Sequence, residues 1–298
     1  MQDIRSDIQK LLSDEIIEYT LKGKGAVNNA YVVKTKNGSK YIVKQEREDK
    51  EFQPQNSLVV EANVIKKLSS LGLSIPVPKV VCISKDPEMY GYEYIEGELL
   101  REQWSSLSED EKISICKSLG EFHAEIGMKV SKEDAEALGV FIDLSTDVHP
   151  EVSRDYVFIL ENPEVPEEFK SVARNAKKIF DTTHDDVFFQ FLHNDAHHEN
   201  ILIKDKKISG FIDFGNAEYG EIAKEFSRYI RDFPFHFQYI VSAYEEKSGN
   251  RLSYLRLVTN SLINGLIDNV EDYLKGGEAR IKAETAIATY KRLIEEAV

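Results

Sequence analysis

Residues 193–215 read HNDAHHENILIKDKKISGFIDFG, and three of them have types and spacing that could do chemistry together. Asp195 precedes Asn200 by five positions, and Asp213 follows Asn200 by thirteen, inside Ile-Asp-Phe-Gly. A carboxylate such as Asp195 can accept a hydrogen bond from a hydroxyl group and aim its oxygen at a phosphorus atom. The amide oxygen of Asn200 and the carboxylate of Asp213 suit magnesium, which prefers oxygen ligands in octahedral geometry and keeps several waters. Phosphoryl transfer asks a protein for positioning and charge neutralisation more than for covalent work, so this order of residues reads as a phosphotransfer site. Taken singly, each of the three is better read as a turn residue, because Asp and Asn favour turns. Their joint spacing, with strands around them, reverses that.

The elements that must position these groups are short. Apolar runs at 188–192, 201–203 and 208–212 read as strands, 193–200 as the loop between the first two, and Asp213 as the cap of the third. Strand ends and loops on a rigid scaffold are where functional groups can be aimed. His193 reads as a tie for the loop backbone. A rival reading gathers His193, Asp195, His197 and His198 into a zinc-binding cluster of a hydrolase. It leaves Asn200 and the Asp213-Phe214-Gly215 run unexplained, and its remote ligands would have to come from His123, His149, His184 or His236.

Upstream lie parts that a nucleotide site needs. Gly23 to Asn28 precedes the strand at Tyr31, and glycine there, Gly25 above all, lets backbone N–H groups approach phosphates. Lys44 ends the next strand, and Glu61 follows seventeen residues on, within a helix, where it could pair with the lysine. Each alone has a plainer reading: a common turn, a solvated lysine, a solvent-facing glutamate. In this order, with the downstream motif, they form a coherent set. A nucleotide-binding module without catalysis would be expected to lack Asp195, Lys44 or a magnesium ligand.

The first ninety-odd residues read as β-rich with one helix. Runs at 30–33 and 40–43 flank an Asn37-Gly38 turn signal. Residues 45–56 are polar. Residues 58–68 carry apolar side chains at helical spacing, with Gly72 as a stop. Pro76 and Pro78 force an extended segment into 80–83, and 89–95 reads as another strand, interrupted by Gly91. Beyond Gly97 the texture changes. Ser108 and Glu111 form a capping-box signature ahead of a helix that presents Ile115, Leu119, Phe122 and Ile126 on one face. Residues 128–170 are acidic and turn-rich and give no clear elements, and from 217 onward the pattern is mainly helical.

These motifs resemble those of the aminoglycoside phosphotransferase family of small-molecule kinases, whose relatives phosphorylate choline, homoserine, methylthioribose and macrolides. The resemblance runs from about residue 20 to 230, and its specific part is His-x-Asp-x-x-x-x-Asn followed by Ile-Asp-Phe-Gly. It implies an α+β, two-lobed protein-kinase-like fold, with a nucleotide-binding lobe at 1–96 and a catalytic and substrate-binding lobe at 97–298. By position it makes Asp195 the catalytic aspartate and Asn200 and Asp213 the magnesium ligands. Lys44, braced by Glu61, would contact the α and β phosphates. Residues 119–123 resemble the family's helix ending in Leu-His. The backbone of Glu93 and Ile95 would hydrogen-bond the purine. Tyr92 behind it could disfavour adenine and admit guanine, so both ATP and GTP stand as cofactors with Mg2+. Two departures are visible: Asn194 stands where the family commonly has glycine, and the acid that follows Gly220 is Glu225 rather than aspartate. Protein kinases share the catalytic parts, but His-Arg-Asp, G-x-G-x-x-G and a following Ala-Pro-Glu are missing here.

Composition bounds the rest. The chain has 298 residues, 42% hydrophobic and 30% charged, an ordinary globular profile with no apolar run near the ~18 residues of a membrane span. The polar N-terminus does not read as a secretory signal. Cys82 and Cys116 form no CxxC pair, so a reducing, cytoplasmic setting is expected. A net charge of −14 disfavours nucleic acid and anionic membrane as partners. It is compatible with a cationic small-molecule hydroxyl substrate. An aminoglycoside, and with it a part in antibiotic resistance, is the first expectation, with acids such as Asp232 receiving its amines beside Asp195.

Overall fold

The structure, a computed structural model, describes residues 4–24, 27–50, 54–85, 88–147, 150–183 and 187–297. The chain opens with helix α1 (Ile4–Leu12) and strand β1 (Ile16–Lys24), followed by β2 (Asn28–Thr35) and β3 (Lys40–Glu46). Helix α2 (Leu58–Ser69), β4 (Val80–Lys85) and β5 (Glu88–Glu93) complete the N-terminal part. The five strands form one antiparallel sheet in the order β1-β2-β3-β5-β4. The turn between β2 and β3 is the expected one: Gly38 has φ +89°, and Asn37 Oδ1 accepts from Thr35 Oγ1 and Ser39 N, both at 2.8 Å.

Helix α2 starts at Ser57, whose Oγ accepts from Val60 N at 3.3 Å. Its buried face is Leu58, Glu61, Ala62, Val64, Ile65 and Leu68. Glu61 is thus a lone carboxylate on an apolar helix face, which is the local mark of a group held for a partner. The sequence reading missed α1 and β1. Helix α1 turns Ile8 onto a small cluster with Ile16, Val33 and Val43, while Arg5, Asp7 and Lys10 break up its apolar pattern. Those charges dilute the apolar signal of a helix only nine residues long.

The C-terminal part begins with β6 (Glu98–Leu99), α3 (Leu100–Gln103) and a single 3₁₀ turn. Helix α4 (Glu109–Lys129) has the expected capping box between Ser108 and Glu111. The resemblance implied a helix ending near His123, but α4 runs two turns further, because Ile126 continues the buried stripe. The segment read as irregular holds α5 (Lys132–Leu138), β7 (Phe141–Ile142), α6 (Pro150–Glu161) and the start of α7 (Glu167–Thr182). In α7 the stripe Phe169, Val172, Ala173, Ala176, Phe180 has helical spacing, obscured by acids and prolines just before it.

Next come β8 (Phe189–Leu192), β9 (Ile201–Lys204), β10 (Lys207–Phe211) and β11 (Glu218–Glu221). Helices α8 (Ile222–Asp232), α9 (Phe237–Ser248), α10 (Tyr254–Asn264), α11 (Leu266–Lys275) and α12 (Gly277–Ala297) end the chain. Two small sheets, β10-β9-β6 and β7-β11-β8, carry the segments that read as chemical in the sequence. The β9–β10 hairpin turns on Asp205 and Lys206, both at positive φ, as two-residue hairpin turns require. Arg256 of α10 is 2% exposed and makes a bidentate pair with Glu221 while donating to Thr146 O at 2.9 Å and Phe180 O at 3.1 Å, so one guanidinium knits α7, the end of β11 and α10. No helix among the described residues is long and apolar enough to cross a membrane.

Helices α4 and α9 cross at Gly120, where a Cβ would lie 2.1 Å from Ile240 O and 2.9 Å from Tyr244 N. Backbone cannot yield as a side chain can. Gly120→Ala is therefore expected to destabilise the protein by at least about 2 kcal/mol, more than overpacking a flexible core site, as read from urea unfolding midpoints.

Candidate active site

The buried centre of the site is the Lys44 ammonium. Its Nζ lies 2.8 Å from Glu61 Oε1 and 2.7 Å from Asp213 Oδ1, which joins β3, α2 and the segment after β10. Burial works against the charged ammonium, but the carboxylates of Asp213 and Glu61 more than offset it and raise its pKa. Asp213 itself has φ +68°, so the chain turns sharply after β10, and its side chain stays 45% exposed. Asn56 adds a second tie between the same regions: Nδ2 donates to Gly215 O at 3.0 Å and Ala217 O at 2.7 Å.

The loop 193–200 is held from both sides. His193 is fully buried, stacked on Phe211 with ring centroids 4.4 Å apart and planes 4° apart. Its Nε2 lies 2.9 Å from Ile212 O, and its Nδ1 accepts from Asp195 N at 3.2 Å. Those contacts need the neutral ring with its proton on Nε2, and burial pushes the imidazole down to about 4. On the other side Glu225 Oε2 accepts from His193 N at 2.6 Å and Asn194 N at 3.2 Å. The departure at Glu225 thus leaves the brace in place, with a longer acid reaching the loop from α8. The departure at Asn194 is also absorbed: its φ is +58°, a left-handed conformation that asparagine tolerates well.

Asp195 emerges from this frame 20% exposed at its side chain. Burial would raise its pKa. The hydrogen bond to His197 leads the opposing effects, the Arg228 guanidinium adds to it, and together they outweigh burial and hold it at about 2. Arg228 NH2 lies 3.6 Å from Asp195 Oδ1. Asn200 Nδ2 donates to Asp195 O at 2.9 Å and to Oδ2 at 3.3 Å, which fixes the amide with its Oδ1 turned away from that bond. Asn200 Oδ1 and Asp213 Oδ2 are hard oxygen donors with no hydrogen bond among the described residues, and they fit a magnesium ion that takes its other ligands from water and phosphate.

Among the described residues the histidines are not gathered into a zinc centre; His149 and His184 lie outside them. His193 uses both nitrogens within the loop, His197 Nδ1 accepts from Glu199 N at 3.2 Å, and His198 Nδ1 is 2.8 Å from Asp232 Oδ2. Among the described residues no group of three His, Cys, Asp or Glu side chains is placed to hold a metal.

Lys44, Asp195 and Asp213 come together as lining of one cavity of about 290 Å³, closed above by Gly23, Val27, Asn28 and Ala30 of the β1–β2 region. Gly25 lies outside the described residues. Glu93 and Ile95 are not among the lining residues. They continue from β5, beside the buried Tyr92, whose ring stacks on Tyr90 at 5.8 Å. The Glu93 N–H donates to Lys79 O at 3.0 Å, which leaves only its carbonyl for a ligand. Asp232 needs correction as a substrate acid. Its side chain is 7% exposed, and Oδ2 accepts from the His198 backbone N–H at 3.0 Å as well as facing the His198 ring. Its Oδ2 is committed to the loop through His198. A second cavity of about 460 Å³ adjoins Asn194, lined in part by Arg228, Arg231, Asn260 and Asp268. Sequence reasoning missed Asn56 and Arg228; the readable signal for the latter was the spacing of Lys224, Arg228 and Arg231 on one face of α8.

Burial pushes the Glu225 carboxyl up to about 8 from an ordinary 4.5, and its two backbone donors only partly oppose that. The folded chain then keeps a proton that the unfolded chain releases, so stability falls as pH rises from about 4.5 to about 8. Glu225→Gln, which can still accept both N–H bonds, should flatten that decline in urea midpoints measured across the same range. Glu225→Ala should slow turnover more than Glu225→Gln does.

The model of the phosphotransferase enzyme family matches residues 18–245. Among solved structures, macrolide 2′-phosphotransferase MphH from Brachybacterium faecium is similar, with a TM-score of 0.68 and 16% identity over 96% of this chain and 98% of that one. The GDP and kanamycin complex of APH(2″)-IIIa gives a TM-score of 0.67 and 18% identity over 100% and 98%. The streptomycin–ATP ternary complex of APH(2″)-IIa gives 0.57 and 17% over 96% and 95%. No curated protein sequence matches significantly. At these identities the structures establish a shared fold, and the family match over most of the chain establishes the rest: this chain belongs to the phosphotransferase enzyme family.

Proposed function

We propose that the protein transfers the γ-phosphoryl group of ATP or GTP to a hydroxyl group of a small molecule. The observation that carries this is the convergence of Lys44, Asp195 and Asp213 on one cavity. In this reading residues 1–96 bind the nucleotide and 97–298 hold the acceptor. The Ile95 N–H and the Glu93 carbonyl meet the purine edge, with Tyr92 behind them. Lys44 contacts the α and β phosphates, and backbone N–H groups around Gly25 cover them. Asn200 and Asp213 would hold Mg2+, which supplies charge neutralisation on the phosphate oxygens.

Asp195 accepts the hydrogen bond of the acceptor hydroxyl and aims its oxygen in line with the bond to be broken. The new P–O bond forms as the bond from the γ-phosphorus to the bridging oxygen breaks, and the nucleoside diphosphate leaves with that electron pair. The hydroxyl proton passes to Asp195. Because Asp195 is held at about 2, it is a weak base, suited to orienting the hydroxyl and taking its proton late, after most bond cleavage.

The acceptor is a separate question. The expectation of an aminoglycoside, and of a role in resistance, rests on the net charge of −14 and on the family. Within the cleft the acids are largely committed: Asp143 and Glu218 to Lys224, Glu221 to Arg256, Asp232 to His198. We therefore commit to a small-molecule hydroxyl and not to a polycation. Coupled nucleotide consumption with ATP and with GTP, against kanamycin, a macrolide, choline, homoserine and methylthioribose, ranks the classes.

Asp195→Ala should lower turnover of whichever acceptor is used by ~10²–10⁴-fold while nucleotide affinity stays near wild type. Lys44→Ala should show the other pattern, with weakened nucleotide binding by calorimetry. Phosphorylation by Asp195→Ala at near the wild-type rate would end this assignment.

A further inference from the structure

Every cation of α8 faces the cleft beside Asp195. Lys224, Arg228 and Arg231 fall at i, i+4 and i+7, on one helix face, and all three line the cavity of about 460 Å³. The opposite face of α8, with Phe226, Tyr229 and Ile230, is buried. In a chain of net charge −14, this basic row at the substrate side is the reverse of what composition suggests.

Lys224 is already satisfied, with Asp143 Oδ2 at 2.7 Å and Glu218 Oε1 at 2.8 Å. Arg228 and Arg231 are not. Their side chains are 41% and 43% exposed, and neither guanidinium donates a hydrogen bond among the described residues. The nearest carboxylate oxygens stand at 3.6 Å for Arg228, on Asp195 itself, and at 3.8 Å for Arg231, on Asp232 and Asp268. A third donor lines the same cavity. Asn260 is 6% exposed, its Oδ1 accepts from Asn264 Nδ2 at 2.8 Å, and its Nδ2 is buried with no partner. A buried amide donor without an acceptor is costly and calls for a partner. Two unused guanidinium forks and an orphaned amide N–H all lack the same thing, an acceptor-rich anion.

We infer that the acceptor molecule carries an oxyanion, a carboxylate or a phosphate, in addition to the hydroxyl that Asp195 orients, and that Arg231 and Asn260 receive it with Arg228 between that group and the catalytic carboxylate. This rests on the phosphotransferase reading of Asp195. The exposed acids at the cavity edge, Asp147 and Asp268, leave room for an ammonium group on the same molecule, so a hydroxylated zwitterion fits as well as a simple hydroxy acid. A polycation would instead bring its ammonium groups against two guanidinium groups with few acids left uncommitted to receive them.

The experiment uses the full chain and matched pairs of probes: glycerate against glycerol, gluconate against glucose, and glycerol 3-phosphate against glycerol, with kanamycin as the polycation. Binding is read by calorimetry and turnover by coupled nucleotide consumption. The acid member of at least one pair should bind, and be used, at least about tenfold better than its neutral counterpart, in line with charge-assisted hydrogen bonds. Which pairs respond distinguishes carboxylate from phosphate. Arg231→Gln should shrink that preference by about tenfold through KM rather than kcat, and Arg231→Lys should restore part of it. The proposal is overturned if neutral probes or kanamycin are preferred, if no acid binds, or if the preference survives Arg231→Gln in a folded protein. Calorimetry with ATP and GTP in magnesium buffer separates the two levels. Nucleotide binding without acid binding sinks only the oxyanion, whereas a chain that binds neither nucleotide loses the phosphotransferase reading as well.

Discussion

One ammonium group sets the geometry on which the rest of the site depends. Lys44 is buried between Glu61 and Asp213, and a buried cation is stable only if its compensation is close and well aimed. That requirement reaches into three separate pieces of chain. It places a carboxylate on the apolar face of α2, fixes how α2 lies against β3, and draws the turn after β10 up to the sheet. Asn56 repeats the linkage a short way off through two backbone carbonyls, so the contact between the two halves is not left to a single pair. The Lys44 end of the cleft is shaped by these bonds before any ligand arrives.

The loop 193–200 is governed by a different economy, that of neutral groups. His193 holds its loop without charge, with one nitrogen donating forward to Ile212 and the other accepting from Asp195 N. Its stacking on Phe211 keeps the buried ring flat against the end of β10. Glu225 secures the two N–H groups that the positive φ of Asn194 leaves pointing inward. Asp195 emerges between these neutral supports as an ionised side chain, and its ionisation is stabilised by its surroundings. Catalytic groups must be held to within about half an ångström to be effective, and here that precision comes from backbone hydrogen bonds rather than from the aspartate's own packing.

How much of this was legible follows from the range of the contacts involved. The triplet Asp195, Asn200, Asp213 was readable because a short loop and one hairpin bring the three together within a span of nineteen residues. Lys44 and Glu61 were readable as a pair because a strand end and the next helix face each other in this sheet. Helix α1 was not, since its apolar stripe is short and its partners lie on β1, β2 and β3. The helices between 128 and 170 were masked by acids that turn out to be first-turn and outer-face residues, as in α5 and α7. Asp232 was misread because its partner is His198, thirty-four positions away, and an acid near a site looks the same in sequence whether it faces a ligand or a loop. Asn56 lay in a stretch that read only as polar, and its partners are about 160 residues downstream.

Charge shows the same limit at a larger scale. A net charge of −14 is an average over a whole surface, and salt screens it beyond about 8–10 Å. Recognition of an acceptor is decided within hydrogen-bond distance, where only the local pairing of each group counts. In this cleft most acids have been matched to Lys224, Arg256 and His198, while two arginines on the same helix face stand 3.6–3.8 Å from their nearest carboxylates and donate no hydrogen bond among the described residues. The acidity of the chain therefore bears on its solubility and on what approaches it, and the row of cations on α8 bears on what stays.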